Sequence, residues 1–156
     1  MRKDDLVEKI HHAKKLHLKW VHRVKDLLEG VLLTDEMIAL DPKESEFGYW
    51  LYGDVHECQD IPFFIETLNH IEEEHISLHQ IYFEIYRIYF VETKREYPAA
   101  LLLGKRKEVP PERWAEAEKH YYELLEISHK LLVQMNNFER KVRMINDEVL
   151  QKCSRG

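Results

Sequence analysis

Apolar residues recur every three or four positions through three long segments of this chain, and this period is the feature that most constrains its fold. A step that alternates between three and four keeps apolar side chains on one face of an α-helix, whereas a strand needs a step of two. The 156 residues include five glycines and five prolines, which is little turn material for a sheet protein. We therefore predict an all-α fold, a four-helix bundle formed by a single domain over 1–156.

The first segment predicts a helix from about Asp4 to Leu33, with one polar position in its apolar stripe. His17 occupies that position, between Ala13 and Trp20. A residue in the stripe faces the interior of a bundle, so His17 is predicted to be buried. The apolar members of the stripe are Leu6, Ile10, Ala13, Trp20, Val24, Leu27 and Val31.

The second segment predicts a helix over 61–96, with Asp60 as its N-cap and Pro62 in its first turn. His75 occupies a position in the apolar stripe, and His79 lies one turn further along the same side. Both histidines are therefore predicted to face the interior. The apolar members of this stripe are Phe64, Leu68, Ile71, Leu78, Tyr82, Ile85 and Tyr89.

The third segment predicts a helix over about 111–152, opened by Pro110 and Pro111. Its stripe is too long for one small partner helix to cover, so we expect its end to pack against another subunit or to project. Two shorter helices are predicted as well, one with many aromatic residues over 43–52 and a brief one over 99–103. The stripe of the long helix contains Trp114, Ala117, Tyr121, Leu124, Ser128, Leu131, Met135, Phe138, Val142, Ile145 and Val149.

Three of the ten histidines fall in the predicted interior and come from two different helices. His75 and His79 are spaced so that one ion can bridge two imidazoles on a single helix face, and His17 adds a donor from a facing helix. Burying an unpartnered imidazole costs free energy, which favours a shared metal ion, although each could instead be a satisfied core histidine. We predict zinc, or another divalent transition metal, on these three side chains. Histidines off the stripes are predicted to be solvated: His11, His12, His22, His120 and His129.

Four short motifs together resemble the chemoreceptor zinc-binding (CZB) domain family. The resemblance implies a four-helix bundle, a sensory role in the bacterial cytoplasm, frequent dimerisation, and zinc held by three histidines and one cysteine. By motif the three histidines are His17, His75 and His79. The matching segments lie within about Ala13 to Tyr86 and are His17–Trp20, Ser45–Trp50, Pro62–Phe63 and His75–His79.

The chain departs from this family at the position of the cysteine ligand, where it has Ser45. A serine hydroxyl is a poor zinc ligand beside a thiolate, because its pKa is far higher. We expect water or a carboxylate, Glu44 or Glu46, to complete the site. Cys58 from the following loop and a degenerate, empty site are the alternatives. Three aromatic residues are expected to form an apolar wall around the metal: Trp20, Phe47 and Trp50.

Charge and hydropathy exclude some classes of partner and compartment. The net charge is −6 and there is no basic stripe, so no nucleic-acid partner is expected. No apolar run is long enough to span a bilayer, and the start of the chain has no apolar signal-peptide core. Cys58 and Cys153 have no CxxC spacing, which suits a reducing compartment. We expect a cytoplasmic protein without membrane insertion.

Three functions from different classes are compatible with these residues. The first is a regulatory zinc module, a homodimer that acts in trans on a chemotaxis or cyclic-di-GMP signalling protein. The second is a zinc hydrolase with water in an open fourth position and Glu44, Glu46 or Glu74 as general base. The third is a dimeric helical interaction protein with a degenerate site. We expect the first, and no enzymatic activity.

Overall fold

In the computed structural model, residues 2–31, 34–92 and 109–151 are described, and within these ranges the chain is helical with no β-strand. The predicted all-α class is confirmed. None of the helices in these ranges is both long and apolar enough to cross a membrane. The α-helices are α1 (Lys3–Leu28), α2 (Glu46–Tyr49), α3 (Pro62–Tyr86), α4 (Pro111–Met144) and α5 (Asp147–Gln151).

Shorter helical turns connect these elements. Single 3-10 turns cover Asp35–Met37, Pro42–Glu44 and His56–Asp60. Two segments continue a preceding α-helix with the wider π-helical turn: Trp50–Asp54 follows α2, and Arg87–Glu92 follows α3. The predicted brief helix over 99–103 lies outside the described residues.

The core lies where α4 packs along both α1 and α3. The stripe residues predicted from the sequence supply most of it, and Phe138 at its centre is fully buried. The end of the last helix is expected from the sequence to pack against another subunit or to project, but residues at the end of its stripe are covered within this chain. Val142 and Leu150 have no exposed surface within this single chain, because α4 is flanked by two helices rather than one.

α1 ends at Leu28, several residues before the predicted boundary, because Gly30 stops it. Gly30 adopts a φ of 92°, in the left-handed region that favours glycine. The amide of Val31 donates to the carbonyl of Asp26 over 3.0 Å, and the amide of Gly30 donates to Leu27 over 3.3 Å. This pair of bonds is the Schellman motif, which satisfies the last carbonyls of a helix.

The boundaries of α3 and α4 also differ from the prediction. Asp60 does not cap α3, since Ile61 is the N-cap residue and makes no side-chain bond, while Pro62 takes the first turn as expected. The helix predicted to continue to residue 152 stops at Met144. The side chain of Asn146 accepts a hydrogen bond from the amide of Val149 over 3.0 Å, so it caps α5 and breaks the long helix.

The segment between α1 and α3 is held by a cap at Ser45. The Oγ of Ser45 accepts from the amide of Gly48 over 2.9 Å, which starts α2, and donates to the carbonyl of Pro42 over 2.9 Å. A Cβ on Gly48 would lie 2.0 Å from the same carbonyl oxygen, so only glycine allows this close approach. This packing fixes the carbonyl of Pro42 beside α3.

Candidate metal centre

The three histidines predicted to bind metal are buried and line one cavity. His17 on α1 is 2% exposed, while His75 and His79 on α3 are 2% and 4% exposed. All three contribute to the walls of a cavity of about 180 Å³. Two helices that are distant in sequence therefore bring the three imidazoles to a common space, as their positions in the apolar stripes predicted.

Aromatic rings surround the two histidines of α3. The ring centroids of His75 and His79 are 4.7 Å apart. Trp20 lies 4.6 Å from His79, and Phe47 lies 4.9 Å from His75. Trp50 contacts Phe47 at 5.3 Å. Trp20 and Phe47 line the cavity as expected, whereas Trp50 is not part of its wall and packs against Phe47.

The hydrogen bonds of His75 and His79 fix which ring nitrogen carries the proton. The Nε2–H of His75 donates to the carbonyl of Pro42 over 2.9 Å, and the Nδ1–H of His79 donates to the carbonyl of Leu40 over 2.9 Å. A carbonyl oxygen only accepts, so in the neutral rings the lone pairs lie on Nδ1 of His75 and Nε2 of His79. This is the arrangement of metal-binding histidines, whose second nitrogen usually donates to an oxygen.

His17 has an oxygen partner as well, on a different helix. Its Nε2 lies 2.8 Å from the Oγ of Ser128 on α4, and the bond is buried. Ser128 was not among the predicted site residues. The sequence does contain an indication of this role, because Ser128 is the polar residue in the otherwise apolar and aromatic stripe of the last helix.

Burial keeps the three imidazoles neutral near pH 7. It lowers the pKa of His17 from 6.5 to about 3, with a further contribution from the charges of His75 and His79. It lowers the pKa of His79 to about 4 and that of His75 below its usual range, although the carbonyls of Leu40 and Pro42 oppose the effect. A neutral imidazole retains the lone pair that a metal needs.

The donor nitrogens share the cavity without being gathered around one point. Within the described ranges, no three His, Cys, Asp or Glu side chains form a group arranged to hold a metal ion. The side chains fit a metal by their chemistry, since three neutral imidazoles are a common donor set for zinc. Coordination would require the rings to turn toward a common centre.

Neither Ser45 nor Cys58 is placed to act as a fourth metal ligand beside the three histidines. Ser45 lines the cavity and is 3% exposed, but its hydroxyl is already engaged with Pro42 and Gly48. Cys58 is fully buried in the turn before α3 and is not part of the cavity wall. The sequence alternative that placed Cys58 on the metal therefore has no support in the geometry.

The two carboxylates proposed as ligands lie at the mouth of the cavity. Glu44 and Glu46 line it and are both exposed. Glu46 pairs with Lys19 across 3.8 Å, with about half of each side chain exposed. Glu36 and Met37, also exposed, complete this rim. Since the rim is exposed, the cavity opens to solvent.

Most histidines off the apolar stripes lie at the surface, and four of them lie beside carboxylates. His12 and His129 are exposed, and His120 is partly buried. Side-chain exposure is 52% for His11 and 69% for His22. The partners of these surface histidines are Glu139 for His11, Asp26 for His22, Glu66 and Glu73 for His70, and Glu116 and Glu123 for His120.

Comparison with known proteins identifies no relative. No family model, no curated protein and no solved structure matches this chain. The resemblance to CZB domains therefore stays a prediction, based on the four motifs and their spacing. The functional argument has to start from the buried histidines and their hydrogen bonds.

Proposed function

We propose that this chain is a metal-binding regulatory module in which His17, His75 and His79 hold one divalent transition metal, zinc by preference. The observation that carries the proposal is the histidine cluster itself. Three neutral imidazoles line one cavity, and each has one nitrogen on a protein oxygen. In His75 and His79, which donate to carbonyls, the second nitrogen carries a lone pair and is the remaining binding capacity of the ring.

A regulatory role follows from the helices that the metal would join. α1 and α3 both pack along α4, while their own backbones approach each other closely at few positions. A metal held by His17 of α1 and by His75 and His79 of α3 would link the two helices directly. An ion that binds only this arrangement stabilises it by about 4 kcal/mol at a thousandfold excess over its dissociation constant. Metal occupancy would then control the packing of the bundle.

The fourth coordination position is proposed to be open to solvent. Ser45 is engaged as a helix cap, and the carboxylates of Glu44 and Glu46 lie on the exposed rim. Water is then the available ligand, since zinc commonly completes three protein ligands with a water molecule. This choice agrees with the expectation from the sequence of water or a carboxylate.

The proposal is tested by elemental analysis of the untagged protein and two single variants. We expect about one equivalent of zinc per chain in the wild type and almost none in His75→Ala. His70→Ala is the matched control, because His70 lies on the same helix but its side chain is 47% exposed beside glutamates. This variant should keep its zinc. A folded wild-type protein that takes up no metal at excess zinc would overturn the proposal.

A regulatory role also predicts a change in the hydrogen exchange of the metal-loaded protein. Zinc should slow amide hydrogen exchange in both α1 and α3, because it would add metal bonds between two helices that already touch through Trp20 and His79. Slower exchange in α3 alone would mean that His75 and His79 bind the ion without His17. In that case the metal could not couple the two helices.

A helical interaction protein without metal is the second candidate, and one observation favours it. The donor nitrogens are not gathered around a centre within the described residues. Each ring also has a protein partner, which is the condition for a stable core histidine. The metal analysis separates the two candidates, since the interaction protein folds fully without metal and gains no stability from added zinc.

The proposed partners are based on the resemblance to CZB domains, which implies a four-helix bundle that dimerises and signals. Five large apolar side chains of α4 remain exposed, and the three in its middle part are Tyr122 at 58%, Leu125 at 36% and Val133 at 42%. Their spacing places them on a single strip of the helix. We propose that a second copy covers this strip, and that the module acts in trans on a chemotaxis or cyclic-di-GMP signalling protein.

A further inference from the structure

Ser128 links α4 to the histidine cluster. The cavity walls come from α1, from the segment over 36–47 and from α3. α4 reaches the cluster through the hydrogen bond of 2.8 Å between the Oγ of Ser128 and the Nε2 of His17. The two residues are 5% and 2% exposed, so solvent does not compete for this bond.

The neighbours of Ser128 along the buried face of α4 are apolar. Leu124, one turn before it, and Leu131, one turn after it, have no exposed surface. A buried hydroxyl in such surroundings needs a partner, and His17 is the partner that the geometry provides. The polar residue in the stripe of α4 is therefore the hydrogen-bond partner of the polar residue in the stripe of α1.

The direction of this hydrogen bond decides what His17 can do. The Oγ of Ser128 can donate its proton to Nε2 or accept Nε2–H, because a hydroxyl has one proton and two lone pairs. If the Nε2 of His17 donates to that oxygen, the lone pair of the neutral ring lies on Nδ1. His17 then follows the same pattern as His75 and His79, each of which donates one ring proton to a protein oxygen.

We propose that Ser128 is a positioning residue, which accepts the Nε2–H of His17, fixes that tautomer and leaves Nδ1 as the donor nitrogen. The proposal rests on the proposed metal function only where it concerns affinity, because the tautomer is a property of the metal-free protein. A metal on Nδ1 would make Nε2–H a stronger hydrogen-bond donor. Through Ser128, α4 would thus respond to occupancy of the cluster.

Two nearly isosteric variants separate the hydroxyl from the volume of the side chain. Ser128→Thr keeps the hydroxyl, and Ser128→Val replaces it with a methyl group of similar size. In the metal-free protein at pH 7, long-range proton–nitrogen NMR should show the Nε2–H tautomer of His17 in wild type and Ser128→Thr. Ser128→Val should show a shift toward Nδ1–H, and Ser128→Ala, which adds no volume, should match it.

Zinc affinity gives the second readout, measured by competition with a chelator. We expect Ser128→Val and Ser128→Ala to bind zinc roughly 10–100-fold more weakly than wild type, the usual effect of losing an outer-shell partner, and Ser128→Thr to stay close to wild type. Two results would overturn the proposal. One is the same His17 tautomer with and without the hydroxyl. The other is an equal loss of zinc affinity in Ser128→Thr and Ser128→Val. If Ser128→Val does not fold, Ser128→Ala against Ser128→Thr makes the same comparison. If wild type binds no zinc, the proposed function fails and the tautomer alone decides the role of Ser128.

Discussion

Acidification should destabilise the metal-free protein well above the pH at which carboxylates titrate. The pKa of His17 is lowered from 6.5 to about 3 and that of His79 to about 4, in both cases mainly by burial. As the pH falls below 6.5, the unfolded chain binds protons at these histidines while the folded chain does not. Stability is therefore complete above pH 6.5 and is lost as the pH falls toward 4 and then 3.

The size of this loss follows from the two pKa values. At pH 5, about 1.5 pH units below the ordinary value, each of His17 and His79 should cost about 2 kcal/mol, because one unit corresponds to about 1.4 kcal/mol. The combined loss of about 4 kcal/mol is a large part of the stability of a typical domain. His75 shifts in the same direction and adds to it.

The assay is urea unfolding followed by far-UV circular dichroism, at pH 7 and pH 5 with a chelator present. In His17→Gln the loss between the two pH values should be smaller by about 2 kcal/mol, since one buried titrating group is removed. His22→Gln is the control, because the His22 side chain is 69% exposed, and its loss should equal that of wild type. Free energies of unfolding that agree within about 1 kcal/mol at both pH values would refute the reasoning.

The remaining predictions concern the segment before α3. Gly48→Ala should lower the free energy of unfolding by about 1–3 kcal/mol, because its Cβ would lie 2.0 Å from the carbonyl oxygen of Pro42. Gly53→Ala, whose Cβ meets nothing within 4 Å, should change the free energy of unfolding by less than about 0.5 kcal/mol. Equal losses of stability in the two variants, measured by urea unfolding, would contradict the packing argument. Ser45→Cys should bind zinc more tightly than wild type in chelator competition, since it adds a thiol to the cavity wall. Ser45→Ala should not bind zinc more tightly, and it should lose about 1 kcal/mol of stability because the helix cap is removed. No gain of zinc affinity in Ser45→Cys would mean that a side chain on this wall cannot reach the metal.

The period of apolar residues predicted most of the interior of the long helices, although Val31 and Trp114 of the predicted stripes are 46% and 44% exposed. His17, His75 and His79 were predicted to be buried because each occupies a position in a helical stripe, and each is at most 4% exposed. Burial in a packed helix depends mainly on the face of the helix, which the local sequence determines. The same reasoning placed Leu27 and Phe138 in the core correctly.

Helix ends were predicted less well, although their signals are local. Gly30 ends α1 with a Schellman motif and Asn146 caps α5, although the apolar pattern of the sequence continues past both residues. The partners of the histidines could not be predicted at all. The carbonyls of Leu40 and Pro42 reach α3 through the tertiary path of an irregular segment, which no period in the sequence describes.

X-ray absorption spectroscopy of the zinc-loaded protein tests the central claim most directly. The account predicts scattering from three imidazoles at about 2.0–2.1 Å, with a light atom such as water completing the site, and one imidazole fewer in His17→Ala. Fewer than three imidazoles in the wild type, or a sulfur neighbour at about 2.3 Å, would contradict it. The first result would remove His17 from the metal, and the second would identify a cysteine as a ligand.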